Sequence, residues 1–170
     1  MTYTYQIEEV DTPAFDGVTY DKTKYTVTVT LEDDGQGHLT PNAEISDGED
    51  GSIVLKNELA HRDLTISKTT AGNAVLSDDA FTVKIRLSRN DIVPVDGDYP
   101  MDGAAETTLT VKNGEATLTI RDGQTVTIKE IPVGTAYTVE ETDERAQGYN
   151  IDASAYTSGG SGVIATDKEA

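Results

Sequence analysis

In the run Tyr25-Thr26-Val27-Thr28-Val29-Thr30-Leu31 every second side chain is apolar or aromatic and every intervening one is threonine. Successive side chains point to opposite faces of a strand, so this run has one face for a core and one for water, a separation that no helix could make. Phe81, Val83, Ile85 and Leu87 repeat the pattern against Thr82, Lys84, Arg86 and Ser88. Further strand candidates are Tyr3 to Val10, Leu39 to Ile45, Ile53 to Leu59, Leu64 to Thr70, Glu106 to Val111, Ala116 to Ile120, Thr125 to Ile128, Ala136 to Glu141, Tyr149 to Ala155 and Gly162 to Ala165. Turn signals separate them at Asp47-Gly48, Asn113-Gly114, Asp122-Gly123, Pro132-Val133-Gly134 and Ser158 to Gly162. No stretch sustains a helical period. Many short strands at this spacing predict an all-β chain of sandwiches with Greek-key pairing.

Composition narrows the function. The chain has 170 residues with 13 basic against 31 acidic, a net charge of −18, which excludes the electrostatic footprint of a nucleic-acid binder or of a protein that docks on anionic membranes. With no cysteine there is no disulfide, thiolate metal site or cysteine nucleophile. No apolar run approaches the roughly 18 residues of a membrane-spanning helix, and the start of the chain lacks the basic and apolar regions of an export signal. Such acidity can mark a disordered chain, but Thr, Val and Ile supply 50 of the 170 residues, and β-branched side chains suit a pleated surface. The polar stretch Ala60-His61-Arg62-Asp63 lies between two strand patterns without Gly or Pro and reads as a short, stiff connector between residues 1–60 and 61–170.

Alternation also marks polar residues on inward faces. Tyr3, Tyr5 and Ile7 lead to Glu9; Ile53 and Leu55 lead to Asn57; Leu64 and Ile66 lead to Lys68; Tyr137 and Val139 lead to Glu141. Any one of these could end its strand in solvent. Together they make a reactive set. Burial favours a neutral, nucleophilic amine and a neutral carboxylic acid. Beside a carboxamide, the amine can attack the carbonyl carbon while the acid polarises the oxygen and carries protons to departing ammonia. The product is a Lys–Asn amide cross-link, formed once per molecule.

The segments Tyr3 to Val10, Val18 to Val27 and Val54-Leu55-Lys56-Asn57 resemble the C-terminal part of the isopeptide-linkage domain of Gram-positive shaft pilins. Leu64-Thr65-Ile66-Ser67-Lys68-Thr69, Ile128 to Thr135 and Tyr137 to Thr142 resemble a collagen-adhesin B-type stalk domain. The resemblance implies two tandem immunoglobulin-like sandwiches, residues 1–60 and 61–170, in a secreted, cell-wall-anchored pilus or adhesin stalk. It implies no cofactor, and as partners other pilin subunits, the cell wall, and a host or matrix protein for an adhesive alternative. In such domains the first strand supplies Lys, a middle strand Glu and the last strand Asn. Glu9 and Glu141 would then be the promoting acids, with Asn57 and Lys68 as cross-link partners. The first domain lacks a Lys strand before Met1 and the second an Asn strand after Ala170, so both triads are expected to be incomplete here. Lys68 and Asn57 belong to different sheets on this reading and are not expected to join each other.

Other sites are weaker. The acidic turns Asp33-Asp34-Gly35, Asp47 to Gly51 and Asp96-Gly97-Asp98 invite calcium, yet none has the spaced loop of a dedicated calcium site. His38 and His61 fall in a turn and in the connector, and no serine has flanking glycines of a nucleophile elbow. Catalysis on an external substrate is therefore not expected. Loop recognition would draw on Tyr99, Tyr149 and Tyr156.

Overall fold

A computed structural model describes residues 1–10, 15–46, 48, 50–70, 79–90, 92–142 and 160–165. The alternating runs form strands: β1 (Thr2–Ile7), β2 (Val18–Thr19), β3 (Tyr25–Asp33), β4 (Leu39–Ser46), β5 (Glu58–Leu59), β6 (His61–Ser67), β7 (Ala80–Arg89), β8 (Val93–Pro94), β9 (Gly97–Asp102), β10 (Thr108–Val111), β11 (Glu115–Arg121), β12 (Thr125–Pro132), β13 (Thr135–Glu141) and β14 (Ser161–Val163). The described residues contain no helix. Contacts divide the chain into one unit spanning Met1–Glu58 and a second spanning Leu59–Ala170.

In the second unit, one sheet has the order β10-β9-β12-β6 and the other β11-β7-β13-β14, with β8 paired to β7. Phe81, Val83, Ile85 and Leu87 of β7 are buried, as their alternation requires. They share one core with Val126, Ile128 and Ile131 of β12, Leu64 of β6, Tyr99 and Met101 of β9, and Leu118 and Ile120 of β11. Ile128 and Ile131 are three apart, a spacing that strict alternation would send to opposite faces. The register of β12 against β6 shifts between them, and Glu130 within that shift adopts φ 62°. The bulge inserts an extra residue and returns both isoleucines to the core, while Asp63 Oδ1 accepts the Glu130 N–H at 3.2 Å.

The first unit holds a three-stranded antiparallel sheet in the order β1-β3-β4, and β2 pairs separately with β5. Thr2↔Thr30 through Ile7↔Tyr25 set the β1–β3 register. Tyr25 is buried, and its hydroxyl donates to Val54 O at 3.0 Å. The expectation that Tyr3, Tyr5 and Ile7 face a core is not met: their exposures are 44%, 54% and 40%. Periodicity specifies which side chains share a face, but covering that face takes a second layer.

Three other expectations change. His61, Arg62 and Asp63 are not a connector but the start of β6, because β12 pairs them through His61↔Pro132 and Arg62↔Ile131. The Asp96-Gly97-Asp98 stretch opens β9, a strand that its Gly, Asp and Pro content conceals and that pairing on both sides enforces. Between Ile53 and Leu59 only Glu58–Leu59 is strand. The candidate strand Tyr149 to Ala155 lies outside the described residues.

Gly103 closes the turn after β9 with φ +82°, and a Cβ built there would stand 2.1 Å from Thr125 O. Backbone atoms of a paired strand cannot yield as a side-chain tip can. Gly123 has φ +72° but open space around it. Gly103→Ala should therefore destabilise the chain by more than about 2 kcal/mol, and Gly123→Ala by about 1 kcal/mol, the strain of the left-handed conformation alone. Urea unfolding of the two variants measures the difference.

Candidate functional site

Lys68 follows β6 directly, and its backbone is pinned on both sides. Its N–H donates to Gln124 O at 3.0 Å, and its carbonyl accepts from Gly123 N at 2.9 Å. The side chain continues the inward face of Leu64 and Ile66. Glu141 ends β13, held opposite Val83 of β7. Lys68 Nζ donates to Glu141 Oε2 at 3.0 Å, with the two side chains only 16% and 14% exposed. The ammonium also lies 4.3 Å from the centroid of the fully buried Phe81 ring, whose face attracts a cation. An amine and a carboxylate thus meet at the margin of the core, largely shielded from water.

Alternation on β13 sends the preceding residue the other way. Glu140 accepts from Arg86 Nη1 at 2.8 Å on the outer face, and Arg86 Nε donates to Glu115 at 3.0 Å. Lys84 joins Glu115 at 2.9 Å. Hydrogen bonds from Lys84 and then Arg86 lower the Glu115 pKa. The two adjacent glutamates therefore serve different chemistry, one in a surface ion network and one beside Lys68.

Glu9 and Asn57 also come together. Asn57 Nδ2 donates to Glu9 Oε1 at 2.7 Å. The other carboxylate oxygen, Oε2, is buried and has no hydrogen-bond partner among the described residues. Neither residue lies in a strand: Glu9 follows β1 and Asn57 precedes β5. Asn57 is exposed and Glu9 half-buried, so the pair does not converge in a closed interior as alternation suggested.

A third residue, unmarked by periodicity, completes the arrangement. The Asp21 N–H donates to Asn57 Oδ1 at 3.0 Å. Its carboxylate accepts the Thr23 N–H at 2.9 Å and the Lys56 N–H at 3.0 Å. Hydrogen bonds from Thr23 and Lys56 hold its pKa at about 2. The Asp-x-Thr spacing of an Asx turn was the sequence signal available for it.

The remaining candidates have structural uses. Asp33 and Asp34 accept backbone N–H groups of their own turn, and His38 Nδ1 lies 3.0 Å from Asp34 Oδ2. Asp96 accepts the Gly114 N–H at 2.7 Å, and Asp98 accepts the Thr110 hydroxyl at 2.7 Å. Asp47 and Glu49 lie outside the described residues, as do Tyr149 and Tyr156. Tyr99 is not a loop residue: it is buried in β9, and burial, with Asp96 second, raises its pKa. Among the described residues no group of three or more acidic or histidine side chains could hold a metal ion, and no helix is long and apolar enough to cross a membrane.

Comparison with known proteins supports the pilin resemblance. Residues 62–170 match the family model described as a domain of unknown function, DUF7601, and residues 1–60 match the Spy0128-like isopeptide containing domain. A pilin of Streptococcus pyogenes serotype M1 is 26% identical over 162 residues, covering 86% of this chain and 46% of that protein. The pilus tip adhesin Cpa of Streptococcus pyogenes is 35% identical over 79 residues, 46% of this chain and 11% of the adhesin. The chain thus spans less than half the length of either relative. The crystal structure of the major pilin from Streptococcus pyogenes has a TM-score of 0.57 at 22% identity, covering 86% of this chain and 56% of the pilin. A second major pilin, T3.2, has a TM-score of 0.59 at 22% identity, with 83% and 51% covered. These two likenesses establish the all-β pilin-type fold.

The Asp21 geometry has a pH signature. A carboxyl whose folded pKa is depressed stabilises the fold above its ordinary value of 3.8 and loses that contribution as pH falls through about 2. The first unit should therefore weaken over this acid window in the parent chain, and Asp21→Ala should flatten that dependence. Amide chemical shifts of Thr23 and Lys56, followed from pH 5 to pH 1.5, should titrate together with a midpoint near 2 in the parent chain.

Proposed function

The chain belongs, through residues 62–170, to the DUF7601 family, and we propose that it is a structural segment of a Gram-positive surface pilus, stiffened by autocatalytic side-chain amide bonds. Residues 1–60 are read as the C-terminal portion of a pilin isopeptide-linkage domain and residues 61–170 as a collagen-adhesin B-type stalk domain, both immunoglobulin-like. Other pilin subunits and the cell wall are its partners, and the bacterial exterior is its location. The matched pilin and the Spy0128-like isopeptide model support this assignment.

The observation that carries the chemistry is the shielded Lys68–Glu141 pair, 3.0 Å apart and beside a sheet edge. In the order β10-β9-β12-β6, the strand leading to Lys68 has β12 on one side and, among the described residues, is the edge on the other. An edge strand offers unpaired N–H and C=O groups to an added strand. If that strand bears an asparagine, Lys68 passes a proton to Glu141, and its neutral Nζ attacks the asparagine Cγ. The new C–N bond forms, the Cγ–Nδ2 bond breaks, and Glu141 returns the proton to the departing nitrogen, which leaves as ammonia. Glu9 and Asn57 form the complementary half-site, with the acid and the carboxamide present and a lysine to be supplied. The buried Glu9 Oε2 offers an acceptor for that incoming amine.

The test uses a synthetic strand peptide with one asparagine among alternating valine and threonine. Mixed with the chain, it should give an adduct on a denaturing gel whose mass is the sum of both components less one ammonia, mapped to Lys68. Lys68→Arg keeps the charge, but a guanidinium is not deprotonated in proteins, so that variant should give none. Glu141→Ala should slow the adduct on the order of a hundredfold or more, the usual worth of a positioned proton carrier. A folded wild-type chain that binds the peptide without losing ammonia would overturn the mechanism.

A further inference from the structure

Three features outside the Lys68 site present chemistry: the mixed groove of β7, β8, β13 and β14 around Ile92 and Val163, the exposed face of β1, and the polar cluster around Asn57. The cluster carries an inference furthest, because its hydrogen bonds fix an orientation. A carboxamide has two ends that differ chemically, one accepting and one donating. A backbone N–H can only donate, so the end of Asn57 that faces Asp21 N at 3.0 Å must be the oxygen. The nitrogen is thereby directed to Glu9, 2.7 Å away.

The geometry assigns Asp21 as the positioning residue of the Asn57 half-site: it delivers its own N–H to Oδ1, and its carboxylate ties that N–H to the backbone immediately before Asn57. The tie is the Lys56 N–H accepted at 3.0 Å by Oδ2, with the Thr23 N–H at 2.9 Å on Oδ1 closing the turn. A shift of either segment would break the bond to the carboxamide. This assignment rests on the reading of Asn57 as an amine acceptor, and it divides the labour of that reaction. When an amine attacks Cγ, negative charge develops on Oδ1, where the Asp21 N–H already points. The bond that breaks is Cγ–Nδ2, and Glu9 stands at Nδ2, placed to carry the proton released by the amine to the nitrogen leaving as ammonia. Sequence reasoning gave the acid both the oxygen and the leaving nitrogen; the structure gives the oxygen to a backbone donor.

The test follows the Asn57 side-chain NH2 by NMR in the full chain. In the parent chain the two Nδ2 protons should be well separated, the one bonded to Glu9 moved downfield. Asp21→Ala should collapse them toward the values of a free carboxamide, whereas Asp21→Asn, which keeps one acceptor oxygen, should preserve most of the separation. Glu9→Gln should move the Nδ2 protons but leave the Asp21 amide signal in place. Well-dispersed signals from β1, β3 and β4 report folding of the first unit in every variant. Unchanged Asn57 protons in Asp21→Ala, with the Thr23 and Lys56 amides displaced, would overturn the assignment. The reaction is read with a strand peptide bearing one lysine among alternating valine and threonine. Asp21→Ala keeps the backbone N–H but releases its anchor, and should slow ammonia loss at Asn57 by up to about a hundredfold, the cost of losing one oxyanion donor. A parent chain that loses no ammonia refutes the acceptor reading and Asp21's part in it. A variant that reacts at the parent rate refutes Asp21's part alone.

Discussion

A strand residue has two faces to choose between, and its neighbour must take the other. On β13 this constraint sends Glu140 to Arg86 at the surface and Glu141 to Lys68 at the core margin. A one-residue slip would exchange them, placing the wrong acid beside the amine and opening the core at Tyr137 and Val139. The β13–β7 register, set by Thr135↔Arg89 through Glu141↔Val83, therefore fixes both packing and chemistry. Phe81, buried at the start of β7, supplies the ring under the ammonium.

The two polar pairs pose different physical problems. At Lys68 the difficulty is charge, since an amine and an acid must be kept together where water is scarce, and the aromatic face with the pinned backbone at Gly123 and Gln124 meets it. At Asn57 the difficulty is orientation, because a neutral carboxamide can lie either way round with little change in shape. There a turn is used in place of a strand, and Asp21 serves as donor and anchor at once. The Thr23 and Lys56 hydrogen bonds that hold the Asp21 pKa at about 2 are the same bonds that anchor the clamp, so the clamp weakens only as that carboxylate takes up a proton.

Much of this was legible in the sequence because β-structure writes its faces as alternation. The strands β3 and β7 and the inward path to Lys68 follow from counting by two, whereas the pairing of Lys68 with Glu141 was implied by the family resemblance. The failures have identifiable physical causes. β9 carries Gly97, Asp98 and Pro100, residues that read as a turn until pairing with β10 and β12 overrides their local preference. β6 begins in a polar run because its first three side chains are all exposed, and pairing with β12 alone makes them strand. Ile128 and Ile131 break the count because a bulge lies between them. Tyr3, Tyr5 and Ile7 share a face as predicted, but a pattern on one strand contains no information about the layer that covers it. Asp21 was missed because its role runs mainly through backbone N–H groups, which every residue but proline has.

The place of β6 has a mechanical meaning. It is the first long strand of the second unit and, among the described residues, is fastened along one side only, to β12. A pull applied to the start of β6 along its own axis loads the ladder from His61↔Pro132 to Thr125↔Ser67 as a whole and does not peel it one rung at a time. Lys68 sits just past the far end of that ladder. An amide bond at its Nζ would act as a rivet behind the strand: only the short stretch ahead of it could extend, and tension would cross the unit through covalent bonds while the core behind stayed unloaded.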